Sequence, residues 1–163
     1  QLTELPRDNP AEPPMFCMLL RKHLVGARVA DITQPGLDRL VRLELDVTDE
    51  FGRPGHRTLV LEAMGRQANL ILLDEEERIL DCMRRVDFEM SEQRQVLPGL
   101  YYHLPPSQGK LDPMQTDEAV ISSLLCPLDA PKALDKWLLD TFGGISPLFY
   151  AQKSETSAAP RLG

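Results

Sequence analysis

Asp38 and Arg39 stand side by side at the end of the turn Gln34-Pro35-Gly36-Leu37. A carboxylate beside a guanidinium can serve as a short recognition pair or as catalytic support. Where a turn becomes a strand, a stiff element holds the pair and leaves it open to a partner. The same pattern also fits a solvated ion pair that closes a hairpin. A second group is Met64-Gly65-Arg66. Glycine between two strands lets a backbone approach closely, and arginine suits phosphate. A β-bulge carrying an exposed arginine fits those residues equally well. Asn69, at a strand start, can bond its own backbone or a partner. Arg94, just before Val96-Leu97-Pro98-Gly99, can pin that loop.

Catalytic constellations are missing from the sequence. It has no Walker-type or dinucleotide-type glycine loop, no G-x-S-x-G elbow and no H-E-x-x-H motif. No carboxylate pair is singled out by spacing for acid–base work. Cys17, Cys82 and Cys126 form no C-x-x-C pair, and His23, His56 and His103 do not cluster with them. The expectation is therefore a chain that is not an enzyme and holds no metal or cofactor. The cysteines are odd in number and lie among apolar residues, which points to buried free thiols in a reducing, cytoplasmic compartment.

Charge narrows the partners. With 18 basic and 25 acidic residues the net charge is −7, which argues against indiscriminate nucleic-acid binding. Between Met15 and Arg42, however, Arg21, Lys22, Arg28, Arg39 and Arg42 outnumber Asp31 and Asp38, for a local net of +3. A basic face on an acidic body is the resulting expectation. No run of apolar residues is long enough to insert in a membrane, and the opening residues carry no signal-peptide pattern. That opening is polar and proline-rich without an initiator methionine, as in a chain that begins inside a longer protein.

The elements that must position these residues follow from periodicity. After residues 1–14, read as an extended lead-in, Pro14 suits a first helical position. Phe16, Leu19, Leu20 and Leu24 recur at helical spacing, basic residues occupy the last turn, and Gly26 ends the helix. The methionines and phenylalanine of this helix read as core. Strands follow at Arg28–Thr33, Arg39–Val47, Thr58–Ala63, Leu70–Leu73 and Ile79–Val86. In the second of these, Val41, Leu43, Leu45 and Val47 share one face, read as the core face, and Arg42, Glu44 and Asp46 share the other. Asp74-Glu75-Glu76-Glu77 reads as a solvated hairpin tip. From Leu97 to Pro113 an irregular connector should pack Tyr101, Tyr102 and Leu104 back on the sheet, and Asp112-Pro113 reads as a domain boundary. Thr116 can cap a helix over Asp117–Leu125, Pro131 starts another, and Ser146-Pro147 a third after Gly143-Gly144. Helix, glycine turn, helix is the outline of a helix-hairpin-helix unit. The fold class is thus α+β: a mostly antiparallel β-sandwich or barrel over residues 1–113 with one helix, a helical segment over 114–152, and a disordered tail over 153–163.

Four runs, in order, resemble one family: Pro13-Pro14-Met15-Phe16-Cys17-Met18-Leu19-Leu20-Arg21-Lys22-His23-Leu24, Gln34-Pro35-Gly36-Leu37-Asp38-Arg39, Glu62-Ala63-Met64-Gly65-Arg66-Gln67-Ala68-Asn69-Leu70-Ile71-Leu72, and Val96-Leu97-Pro98-Gly99. They are similar to the NFACT-N domains of RqcH-like quality-control factors, a family also called fibronectin-binding protein A. The resemblance runs from about Leu2 to about Tyr150. It implies a β-domain like the N-terminal domain of formamidopyrimidine-type DNA glycosylases, without the proline nucleophile that glycosylase chemistry needs. It also implies a nucleic-acid-binding module that acts on the large ribosomal subunit and recruits alanyl-tRNA, so that alanines are added to a stalled chain without mRNA. In the family the Asp-Arg dipeptide, here Asp38 and Arg39, is tied to that tailing. Arg66 and Asn69 match the family motif Met-Gly-[Arg/Lys]-His-Ser-Asn, whereas Gln67 and Ala68 replace its His and Ser. Arg21, Lys22, Arg28 and Arg42 are the candidate basic patch. Two other functions compete: fibronectin binding at a cell surface, which the missing secretion signal speaks against, and a DNA-repair lyase.

Overall fold

The structure, a computed structural model, describes residues 10–125 and 134–145. Five strands form one antiparallel meander: β1 (Arg28–Thr33), β2 (Leu40–Thr48), β3 (Pro54–Glu62), β4 (Asn69–Leu73) and β5 (Ile79–Cys82), hydrogen-bonded in chain order. Helix α1 (Met15–Leu24) precedes them, and α2 (Glu118–Leu125) and α3 (Leu134–Thr141) follow. The fold is α+β, as the periodicity indicates. A second sheet does not occur among the described residues. The chain divides into two compact units, Gln1–Gln34 with Arg39–Pro105, and Pro35–Asp38 with Pro106–Gly163. The division falls a few residues before the Asp112-Pro113 boundary read from the sequence.

Register decides which face each strand buries. Leu40 pairs with Glu62, Arg42 with Val60 and Glu44 with Thr58, while Val60 pairs with Ile71 and Thr58 with Leu73. The core of this unit is therefore Leu40, Val60, Ile71, Leu73, Ile79 and Cys82, closed over by Val96 and Tyr102. It lies on the side of β2 that carries Arg42 and Glu44, the reverse of the side read as core. The opposite side buries Leu45 and Leu72, while Val41, Leu43 and Val47 are only partly covered. Alternation reports two unlike faces; it does not say which one a later loop will cover. The segment from Val86 to Tyr102 does the covering. It is tied down by the Val86–Val96 bridge and by Ile79 N–H and Tyr102 N–H donating to the carbonyls of Leu100 and Glu77, both at 2.8 Å. Of its expected packing residues only Tyr102 is buried; Tyr101 and Leu104 are exposed.

Burying charge on this side needs partners, and two ion networks supply them. Arg42 donates two bonds to the Glu77 carboxylate at 3.1 and 2.6 Å and a third to Glu44 at 3.1 Å. Glu44 accepts from the Thr58 hydroxyl at 2.7 Å and lies 2.8 Å from His56 Nε2. Burial pushes the Glu44 carboxyl up, but the bonds from Thr58, His56 and Arg42 outweigh it and hold it below its ordinary value. The acidic tip is thus more than a solvated turn: Glu77, at φ 64°, turns back to hold Arg42. In the second network Arg94 grips the buried Glu62 carboxylate with two bonds, and Tyr102 donates its hydroxyl to the same group at 2.9 Å. Arg94 also donates to the His103 carbonyl at 2.6 Å and stacks over the Tyr102 ring. Burial and the Glu62 charge push the Tyr102 phenol well above its ordinary value.

Helix α1 starts at Met15, with Pro14 as the residue before it, and turns at Gly26, whose φ is 83°. It packs beside β2 and β5, yet Met15 and Met18 are exposed and no residue of the helix is fully buried. The methionines expected in the core are therefore surface residues. In the second unit Trp137 and Phe142 stack edge to face at 5.7 Å, and Leu111 pairs with Phe142. The expected Thr116 cap is absent, because its hydroxyl donates to the Asp112 carbonyl at 2.6 Å. The helix expected from Ser146, the start at Pro131 and the thiol of Cys126 lie outside the described residues.

Candidate nucleic-acid interface

A meander sorts its connections between two ends. The β2–β3 and β4–β5 turns lie at one end; the entry to β2, the β3–β4 connection and the exit from β5 lie at the other. Arg39 enters β2 at that second end. Its carbonyl accepts from Ala63 N–H at 2.7 Å, which ties it to the β3–β4 connection. That connection is a single 3-10 turn, Gly65–Gln67. Gly65 starts it at φ 57°, and a side chain there would meet nothing within 4 Å. The glycine is therefore required by conformation and not by crowding. Arg39 and Arg66 are both exposed, and among the described residues neither guanidinium has a hydrogen bond or ion pair.

Asp38 is exposed and belongs to the other compact unit; its N–H donates to the Pro35 carbonyl at 3.1 Å within the turn. Asn69 is buried, unlike a side chain waiting for a ligand. Its Nδ2 donates to the Arg84 carbonyl at 2.7 Å, and its Oδ1 accepts from the N–H of Arg84 at 2.9 Å and of Leu70 at 3.0 Å. It clamps the exit of β5 against the start of β4. Asn69 is thus a positioning residue for this end of the sheet.

The basic window between Met15 and Arg42 does not form one patch. Arg42 is partly buried in the Glu44–Glu77 network, whose bonds, led by that from Glu77, raise its pKa further. Arg28 pairs with Asp46 at 3.6 Å, because β1 runs antiparallel to β2 and sets residue 28 opposite residue 46. Arg21 and Lys22 are exposed in the last turn of α1. Closeness along the chain does not survive a sheet in which each strand carries the chain to the far end. No group of three or more His, Cys, Asp or Glu able to hold a metal occurs among the described residues, and no described helix is long and apolar enough to cross a membrane.

Sequence reasoning missed Glu62 as the partner of Arg94. Its only signal was an acid after the apolar run Leu59-Val60-Leu61 in the strand read as Thr58–Ala63, with nothing to mark the arginine 32 residues away.

The family of NFACT N-terminal and middle domains matches residues 1–160. "Rqc2 homolog RqcH" of Bacillus subtilis (strain 168) is 43% identical over 143 residues, covering 87% of this chain and 25% of that protein. "Ribosome quality control complex subunit 2" of Saccharomyces cerevisiae (strain ATCC 204508 / S288c) is 39% identical over 85 residues, 52% of this chain and 7% of that protein. Among solved structures, the N-terminal domain of the fibronectin-binding protein PavA from Streptococcus pneumoniae superposes with a TM-score of 0.73 at 32% identity, over 96% of this chain and 62% of that one. The chain spans about a quarter of the length of the bacterial relative.

Proposed function

From the premise that the chain belongs to the family of NFACT N-terminal and middle domains, we propose that it is the RNA-binding module of a ribosome quality-control factor. In this reading it engages the obstructed large subunit and helps recruit alanyl-tRNA for mRNA-independent alanine tailing in the cytoplasm. Its work is binding; the module breaks no bond. One observation carries the reading. Two guanidiniums, Arg39 and Arg66, stand exposed at one end of the sheet, and among the described residues neither has an ion pair. A planar fork of donors on a stiff element is suited to a phosphate or a base edge. Asp38, next in sequence, bonds a ribose hydroxyl or orients its neighbour, which favours RNA over DNA. We read Gly143-Gly144, after α3, as the turn of a helix-hairpin-helix unit.

The test is made in the full-length protein. Asp38 and Arg39 are both changed to alanine, and alanine tailing is measured on purified large subunits that hold peptidyl-tRNA. Tailing is expected to fall at least tenfold in a variant that remains folded. Undiminished tailing by a normally folded variant would make the pair structural. A second reading, fibronectin binding, is favoured by the name of the PavA neighbour. Saturable fibronectin binding without salt-sensitive tRNA binding would move the function there.

A further inference from the structure

The two ends of the sheet carry opposite charge. In the turns 49–53 and 74–78, six acids (Asp49, Glu50, Asp74, Glu75, Glu76, Glu77) stand against Arg53 and Arg78, with Arg42 and Arg57 reaching Glu77 and Glu75 from the neighbouring strands. At the other end, segments 63–68 and 83–86 contain no acid and carry Arg66, Arg84 and Arg85, with Asp87 following the second segment and Asp38 preceding Arg39 at the entry to β2. Arg39 joins them through the Ala63 bond. The exit from β5 is held at this end by Asn69 and by Met83 N–H, which donates to the Leu70 carbonyl at 2.8 Å. The Arg84 guanidinium donates to the Arg66 carbonyl, so the two arginines are neighbours although 18 residues separate them. Both are exposed, and Arg84 has no acid partner among the described residues. Arg85 pairs with Asp81 at 3.3 Å.

We propose that Arg84, with Arg66 and Arg39, forms a row of phosphate contacts at this end of the sheet, and that the acidic turns at the opposite end face away from the RNA. This rests on the RNA-binding reading and extends it to a residue outside the motifs that suggested it. The row crosses from β2 over β3 and β4 to the exit of β5, three strand spacings of about 4.8 Å, so roughly 14 Å. That length accommodates two or three successive phosphates of one strand. It is backed by backbone that Asn69 keeps in place, so little ordering is needed on binding. The charge separation also gives an acidic chain a defined approach: the basic end is drawn to the polyanion while the acidic turns are repelled. Such contacts position the module and carry no sequence preference.

The experiment uses the full-length protein and purified bulk bacterial tRNA, with affinity measured from 50 to 300 mM salt. Each lost phosphate contact lowers the slope of log affinity against log salt by about 0.7–0.9 and weakens binding roughly fivefold near physiological salt. Arg84→Gln is expected to show both effects, and Arg84→Lys to retain most of the slope. Glu75→Gln with Glu76→Gln is expected to leave affinity unchanged or raised. If Arg84→Gln folds normally and keeps the parent slope and affinity while Asp38→Ala/Arg39→Ala loses tailing, the Arg84 contact is refuted and the RNA-binding reading stands. If the parent protein itself shows no salt-dependent tRNA binding, both fall. Weakening by Arg84→Gln that is equal at every salt concentration would also refute a phosphate contact, since a structural loss leaves the slope alone.

Discussion

Removing Arg94 should be among the most damaging single changes in the sheet. The Glu62 side chain is 4% exposed and its carboxylate is met by two guanidinium bonds and one phenol. Arg94→Ala leaves that carboxylate with the Tyr102 hydroxyl as its partner. Stripping one member from a buried ion pair costs about 3–5 kcal/mol. The surviving phenol bond places the expected loss near the lower end, about 3 kcal/mol. Loss of the guanidinium over the Tyr102 ring adds about 0.5–1 kcal/mol. Urea unfolding of the parent, Arg94→Ala, Glu62→Ala and the double variant gives the cycle. Because the single changes each orphan the other partner, the double variant should lose at least 1.5 kcal/mol less than their sum. At roughly 2–4 °C per kcal/mol for a chain of this length, the single variant should also melt well below the parent. A loss under 1 kcal/mol for Arg94→Ala, or an additive cycle, would mean that the pair is a surface accessory and that burial does not set its worth.

Two further outcomes follow from the same networks. Glu44 titrates below its ordinary value in the folded chain, so its contribution is present above the unfolded value near pH 4.5 and is lost as pH falls through the lower folded value. Glu44→Gln should therefore cost on the order of 1–2 kcal/mol at pH 7, and the gap to the parent should narrow below about pH 4, read by chemical denaturation at both values. Asn69→Ala removes one acceptor and one donor from three backbone groups and should cost about 2 kcal/mol, with faster hydrogen exchange at the Arg84 and Leu70 amides than at the centre of β4.

Much of the fold was legible locally. The α1 helix shows as a period of 3 to 4 in Phe16, Leu19, Leu20 and Leu24, the β1 and β2 strands as alternation after Gly26 and after Pro35-Gly36, and β4 as a short apolar run that ends at Asp74. These signals depend on neighbours a few residues apart, which the chain itself supplies. Burial was less legible. The Val41–Val47 alternation was read with its core on the wrong side, because Arg42 and Glu44 look like solvent-facing residues until Glu77, Thr58 and His56 are brought to them from 12 to 35 residues away. Met15 and Met18 stay at the surface, because a helical stripe shows amphipathicity and not what lies opposite it.

The candidate site divides in the same way. Sequence alone determined the residue types, the turn at Pro35-Gly36 and the motifs that mark Asp38, Arg39, Arg66 and Asn69. Only the tertiary structure decided that Asn69 is a clamp, that Arg28 and Arg42 are occupied by acids, and that Arg84 stands beside Arg66. Charges act through space, over a few ångströms, while the meander carries the chain the length of the sheet between one turn and the next. Which arginines share an end is therefore set by strand order and register, and neither can be read from any one segment.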